Sequence, residues 1–306
     1  MALSSSIHII NMYPYIKNTN KYILAKDQNN NDIENKVIQD IVFDMILEID
    51  RICRKYDISY ALGFGSALGL YRYGDFIPWD DDADIVIDYF DYPRLVDALK
   101  KELKDDYIVD TKATNPRYNP FIPAIKIIHK YTKINEASRL TLTNHNNYKG
   151  LFVDICLFMG VPSDLKEHLK LIRKTKRKVL PFVLADAFLH LPLKKSRERI
   201  YKLEEETANK YKNSEVISQS VILPFQDTPK SMVSRLAFPK SIIYPFKEYD
   251  FRGHKLYSFN DIEAFSIYRY GESARKKIDP KTNEYYENYS TKKQKGHHLK
   301  KIIFKK

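Results

Sequence analysis

A mixed α/β fold (α+β mixed), built as a mixed sheet flanked by helices with a basic helical subdomain, is what this 306-residue chain predicts. Three observations carry the prediction. Apolar residues at helical spacing over 37–52 precede a short strand-like segment, Ile58 to Gly63. The acidic run Asp80-Asp81-Asp82-Ala83-Asp84 feeds directly into Ile85-Val86-Ile87. A second apolar segment, Leu151 to Phe158, is nearly free of polar residues and reads as a central strand interrupted by Asp154.

In chain order, residues 1–31 are polar and Asn-rich near their end, and read as a loose N-terminal arm. Val37, Ile38, Ile41, Val42, Met45, Ile46, Ile49 and Ile52 mark one face of a helix over 32–56, with Asp32 available as its N-cap. After the strand at 58–63 and Gly65-Ser66 comes a short helix through Leu70 and Tyr71, then the acidic strand. Asp91 can cap a helix to about Lys104, and Tyr107–Val109 and Ile122–Ile128 are strand-like. Residues 32–162 are thus read as the core, and 163–280 as a helical, basic and then mixed region completing the same domain. Residues 281–306 form a basic tail, whose last fifteen positions hold seven lysines and no acid.

Composition narrows the function classes. A net charge of +12 points to an anionic partner, which charge alone does not choose among nucleic acid, membrane and phosphorylated substrate. The two cysteines, Cys53 and Cys156, lie in apolar segments and read as buried free thiols rather than a disulfide or zinc set. With no signal-peptide pattern and no stretch of membrane-spanning length, the expected location is cytoplasmic.

The chemistry concentrates at three places. Gly63-Phe64-Gly65-Ser66 sits at a strand-to-helix junction, where small residues let backbone N–H groups approach a phosphate; alone, it reads more readily as a plain Gly-Ser turn. Along an extended strand Asp82 and Asp84 project together, joined by Asp80 if that geometry reaches back past Asp81. Like charges so close repel unless a cation intervenes. Asp154 is a carboxylate inside an apolar strand, and either serves the same cation or meets a nearby Lys or Arg. Together the oxygen ligands Asp80, Asp82, Asp84 and Asp154 beside a phosphate-binding turn describe a magnesium or manganese site. Such a site clamps a nucleoside diphosphate and activates an incoming hydroxyl.

The Gly-Ser and Asp-x-Asp arrangement resembles the nucleotidyltransferase superfold. Within it the chain is similar to the LicD family, whose relatives include fukutin and fukutin-related protein. The carrying residues are Gly65 to Arg72, Gly74 to Ile85, Lys149 to Ile155 with Gly160-Val161-Pro162, Tyr249 to Gly253, and Tyr268-Arg269-Tyr270-Gly271-Glu272. Two positions depart from the family's pattern, Arg252 where an acid is usual and Glu272 where Asp is usual; both are expected to contact substrate.

The resemblance implies a metal-dependent phosphotransferase. It would move phosphocholine or a polyol phosphate from a CDP-activated donor, CDP-choline foremost, to a hydroxyl of a cell-surface glycan, releasing CMP. Asp82 and Asp84 would hold magnesium, and Asp154 would bind a second metal or take the acceptor proton. Gly65 and Ser66 would bind donor phosphate, and Arg72 or Lys126 would neutralise developing charge. A choline head would need an aromatic box, for which Trp79, Tyr71, Tyr268 and Tyr270 are candidates against a plain core reading. The basic helix at 166–178 and the tail's Ile302, Ile303 and Phe304 suit contact with an anionic inner leaflet carrying a lipid-linked acceptor, or else a solvated face and a disordered tail. The rivals are a nucleotidyltransferase acting on a small molecule or protein and, more distantly, a nucleic-acid-binding module; no specific nucleic-acid partner is expected.

Overall fold

The structure is a computed structural model, and it describes residues 23–120, 122–136, 149–189, 194–219, 233–276 and 299–305. Its elements run β1 (Ile23–Lys26), β2 (Asp32–Glu34), α1 (Asn35–Lys55), β3 (Tyr60–Leu62), α2 (Phe64–Tyr73), β4 (Asp84–Asp88) and α3 (Tyr92–Glu102). Then come β5 (Tyr107–Thr111), β6 (Ile125–His129), β7 (Thr132–Glu136), β8 (Phe152–Gly160), α4 (Leu165–Leu189) and α5 (Lys194–Lys210). The remainder comprises β9 (Val216–Gln219), β10 (Ala237–Pro239), α6 (Lys240–Ile243), β11 (Lys247–Phe251), β12 (His254–Ser258), α7 (Ile262–Tyr270) and β13 (Leu299–Phe304). The mixed α/β expectation holds. No helix among the described residues is long and apolar enough to cross a membrane.

The main sheet has the strand order β10-β9-β8-β4-β3-β12-β11. Strand β8 is long enough to serve two partners along one edge: β6 pairs at Phe152–Ile155 and β9 at Phe158–Gly160. Its other edge pairs in parallel with β4. Helix α1 buries Ile38, Ile41, Met45, Ile46, Ile49 and Ile52 completely, as its apolar spacing required. It starts at Asn35 rather than at Asp32, because Asp32–Glu34 pairs with β1 as strand β2. Cys53 and Cys156 are both buried free thiols, and burial pushes both thiol pKa values up.

A smaller sheet, β2-β1-β13-β7, corrects the reading of the tail. Leu299–Phe304 is antiparallel to β7 and parallel to β1, with Leu299, Ile302 and Phe304 buried. Among lysines, those apolar side chains fill the inward face of a strand, so they are not free for membrane contact. The stretches of the expected arm before Ile23 and of the expected tail before Leu299 lie outside the described residues. On α4, Ile172 is buried and Leu165 is 59% exposed, while Lys166, Lys170, Arg173, Lys174, Arg177 and Lys178 face solvent.

Candidate active site

Strand register builds the centre of the site. Asp84 on β4 is paired with Asp154 on β8, and Asp154 in turn with Lys126 on β6. Paired residues share a face of the sheet, so the three side chains stand in a row across adjacent strands about 4.8 Å apart. The Lys126 ammonium donates to Asp154 Oδ1 at 2.6 Å and lies over the Phe152 ring. Asp154 therefore meets a lysine, the structural alternative left open by its sequence, and does so beside Asp84.

The turn before β4 is held from three sides. Asn35 and Gln39, buried polar residues one turn apart on α1, donate side-chain N–H groups to the carbonyls of Pro78, Asp80 and Ile77, at 2.7–3.1 Å. Gly63 N–H donates to the Asp84 carbonyl, and Asp84 N–H donates to Ser66 Oγ at 3.0 Å. Asp81 is tied to β13, its Oδ2 accepting from Leu299 N–H at 2.6 Å. Sequence reading missed Asn35 and Gln39; the signal was two amides at i and i+4 in an otherwise apolar helix face.

Burial and then the neighbouring Asp82 carboxylate push the Asp80 carboxyl well above the usual range, with Asp81 and Asp84 adding to it. Burial, Asp82 and Asp154 do the same to Asp84, opposed by Lys126 and Arg269. Carboxylate oxygens of Asp80, Asp81 and Asp82 come within 4.8 Å of one another. This all-oxygen, mutually repelling set fits a hard divalent cation. Gly65 belongs to the same geometry, since a Cβ there would come within 2.8 Å of Asp80 Oδ2.

Other expected site residues have different tasks. Arg72 is buried and donates Nε and Nη2 to the Ala274 and Ser273 carbonyls at 2.8 and 2.7 Å, so its guanidinium fastens the turn after α7 rather than facing substrate. Trp79 is buried in a cluster with Leu68, Ile77 and Ala274, against which Tyr71 and Tyr270 pack. Tyr268 lies 5.4 Å from Phe238 and is 38% exposed. Three of the four box candidates, Trp79, Tyr71 and Tyr270, thus meet at one cluster, and Tyr270 is the one whose phenol senses Asp80, Asp82 and Asp84. Arg252 is not a substrate contact either. Its side chain is buried between Asp40 and Asp75, over the rings of Phe43 and Phe76. Glu272 pairs on the surface with Arg275.

A recess unforeseen from sequence is also present. Tyr92, Tyr118 and Tyr201 line it with Lys112, Asn119 and Glu204. The Lys112 ammonium sits 4.9 and 4.6 Å from the Tyr92 and Tyr201 ring centres. Tyr118 is near enough to Asp154 for that charge, after burial, to raise its phenol pKa.

Residues 57–181, which carry the glycine turn, the acidic loop, β4, β6 and β8, match the family described as LicD/FKTN/FKRP, nucleotidyltransferase domain. That segment is similar to the LicD family. The chain is 34% identical over 136 residues to the lipopolysaccharide cholinephosphotransferase LicD of Haemophilus influenzae, a match covering 43% of this chain and 46% of that protein. The chain thus spans about half the length of the curated relative that it matches.

Proposed function

We propose that this protein is a metal-dependent phosphotransferase that moves phosphocholine, or a related alcohol phosphate, from a CDP-activated donor to a hydroxyl of a cell-surface glycan, releasing CMP. The observation that carries the reading is the row Asp84–Asp154–Lys126, set beside Asp80 and Asp82 in a family that includes a cholinephosphotransferase. Asp80, Asp82 and Asp84 would hold magnesium or manganese, which supplies charge neutralisation for a diphosphate. Asp154 is suited to accept the acceptor hydroxyl's proton, and its hydrogen bond from the Lys126 ammonium holds the carboxylate in place. The helix N-terminus at Gly65 favours donor phosphate through its backbone N–H groups. Ser66 Oγ already accepts from Asp84 N–H, so its part is to fix that aspartate. Catalysis of this kind is positioning and electrostatics more than covalent chemistry. The exposed cations of α4 suit an anionic surface where a lipid-linked acceptor would sit.

The test is incubation with magnesium and CDP-choline labelled in the choline, in parallel with CDP-glycerol and CDP-ribitol, and with glycan acceptor. Label on the glycan together with CMP release is the expected result. Nucleotide attached to the acceptor instead would favour the nucleotidyltransferase reading and overturn this one. Asp82→Asn and Asp84→Asn should each abolish metal-dependent turnover while leaving the circular dichroism spectrum unchanged.

A further inference from the structure

Arg269 lies in the last turn of α7, outside the segment matched to the family. Its guanidinium carbon is 5.4 Å from the centre of the Tyr270 ring, and Tyr270 packs against the cluster around Trp79 at the end of the acidic loop. The charge is close enough to Asp84 to draw that carboxyl's pKa down, against burial and the carboxylates Asp82 and Asp154. Yet Arg269 closes onto no carboxylate among the described residues. Its Nε is buried and makes no hydrogen bond among the described residues. Arg72 is the contrast: a buried arginine with its donors matched to carbonyls.

A buried N–H without an acceptor is costly, and the cost is relieved when a ligand supplies one. An arginine standing beside carboxylates without pairing with them fits an anion that the same carboxylates hold through a cation. Planar guanidinium donors match phosphate oxygens two at a time. We propose that Arg269 is a phosphate-binding residue of the donor site, its guanidinium holding the diphosphate of a nucleotide-activated donor. This rests on the phosphotransferase reading and adds a residue to it from the C-terminal part of the domain.

The experiment is calorimetric titration of the full chain with CDP in magnesium buffer, for wild type, Arg269→Lys and Arg269→Gln, with unfolding midpoints measured alongside. Arg269→Gln should weaken CDP binding about ten- to a hundredfold, the range for one charge-assisted contact pair. Arg269→Lys should fall between, because it keeps the charge and loses the fork. Manganese alone should bind Arg269→Gln at least as tightly as wild type, since a repelling cation has gone. If wild type binds CDP and Arg269→Gln binds it equally well, the assignment is overturned and the phosphotransferase reading stands. If wild type does not bind CDP, the donor reading itself falls and takes the assignment with it.

Discussion

Replacing Lys126 by Met tests whether the row of charged residues is a balanced unit. The ammonium and the Asp154 carboxylate are 2.6 Å apart with side chains 9% and 14% exposed, which places them among buried pairs rather than surface ones. Surface pairs are worth about 0–1 kcal/mol, whereas removing one member of a buried pair costs about 3–5 kcal/mol. Met keeps the packing over Phe152 but leaves Asp154 beside Asp84 with no lysine on its other side. The partial exposure of Asp154 argues for the lower end, about 3 kcal/mol, or roughly 5 °C in midpoint for a protein of this size. The assay is urea unfolding in EDTA and again in magnesium, for wild type, Lys126→Met, Asp154→Asn and the double variant. Magnesium should recover more stability in Lys126→Met than in wild type, and the double variant should lose about 2 kcal/mol less than the sum of the singles. A loss below about 1 kcal/mol in Lys126→Met, or strict additivity, would refute the argument.

Two glycines in the same helix should fail differently. A Cβ at Gly69 would meet the Asp75 carbonyl at 2.6 Å and the Ile77 nitrogen at 2.8 Å, so Gly69→Ala should lower stability by about 1–3 kcal/mol in a denaturant titration. At Gly65 the Cβ meets the tip of the Asp80 side chain, which can swing away, so Gly65→Ala should keep its unfolding midpoint and lose metal-dependent activity. Acid should act through His168, whose pKa burial lowers to about 4 in the fold from about 6.5 in the unfolded chain. The unfolded state then binds more protons between those values, so this residue's contribution is intact above pH 6.5 and is lost as the pH falls toward 4. Measured against His168→Leu, wild type should lose up to about 3 kcal/mol between pH 7 and pH 4. The paired comparison is needed because Asp75, Asp80, Asp84 and Asp88, with raised pKa values, shift stability the other way. Parallel stability curves for the two proteins would sink the prediction.

The carboxylates and their cradle were legible because chemistry there is written in consecutive residues. Asp-x-Asp at the head of an apolar strand, a glycine turn before it and a lone aspartate in a central strand each break a local pattern. What sequence did not disclose depends on register and on long-range closure. Nothing near Ile125-Lys126-Ile127 says that its lysine will face Asp154; that follows only when β6 and β8 pair. Arg72 looked like a substrate contact because it adjoins the motif, but its partners are carbonyls some two hundred residues away. The lysine-rich tail read as polar because charge masks Ile302 and Phe304, two apart, and a register shift separates them from Leu299; the burial of all three needs a neighbouring sheet to be visible. Arg252 departs from the family's usual acid, and the structure accounts for the change locally, since Asp40 and Asp75 supply the opposite charge.

The hydrogen bond from Leu299 to Asp81 spans 218 positions of the chain. During synthesis the acidic loop leaves the ribosome long before the strand that latches it, at roughly 5–20 residues per second. For about ten seconds or more, therefore, α1, β3 and β4 can assemble while Asp81 lacks its backbone partner. The nascent loop is expected to present its carboxylates to solvent cations in that interval, and to take its final shape only when β13 slots between β1 and β7. Assembly of the acidic loop is timed by a strand that belongs to a different sheet.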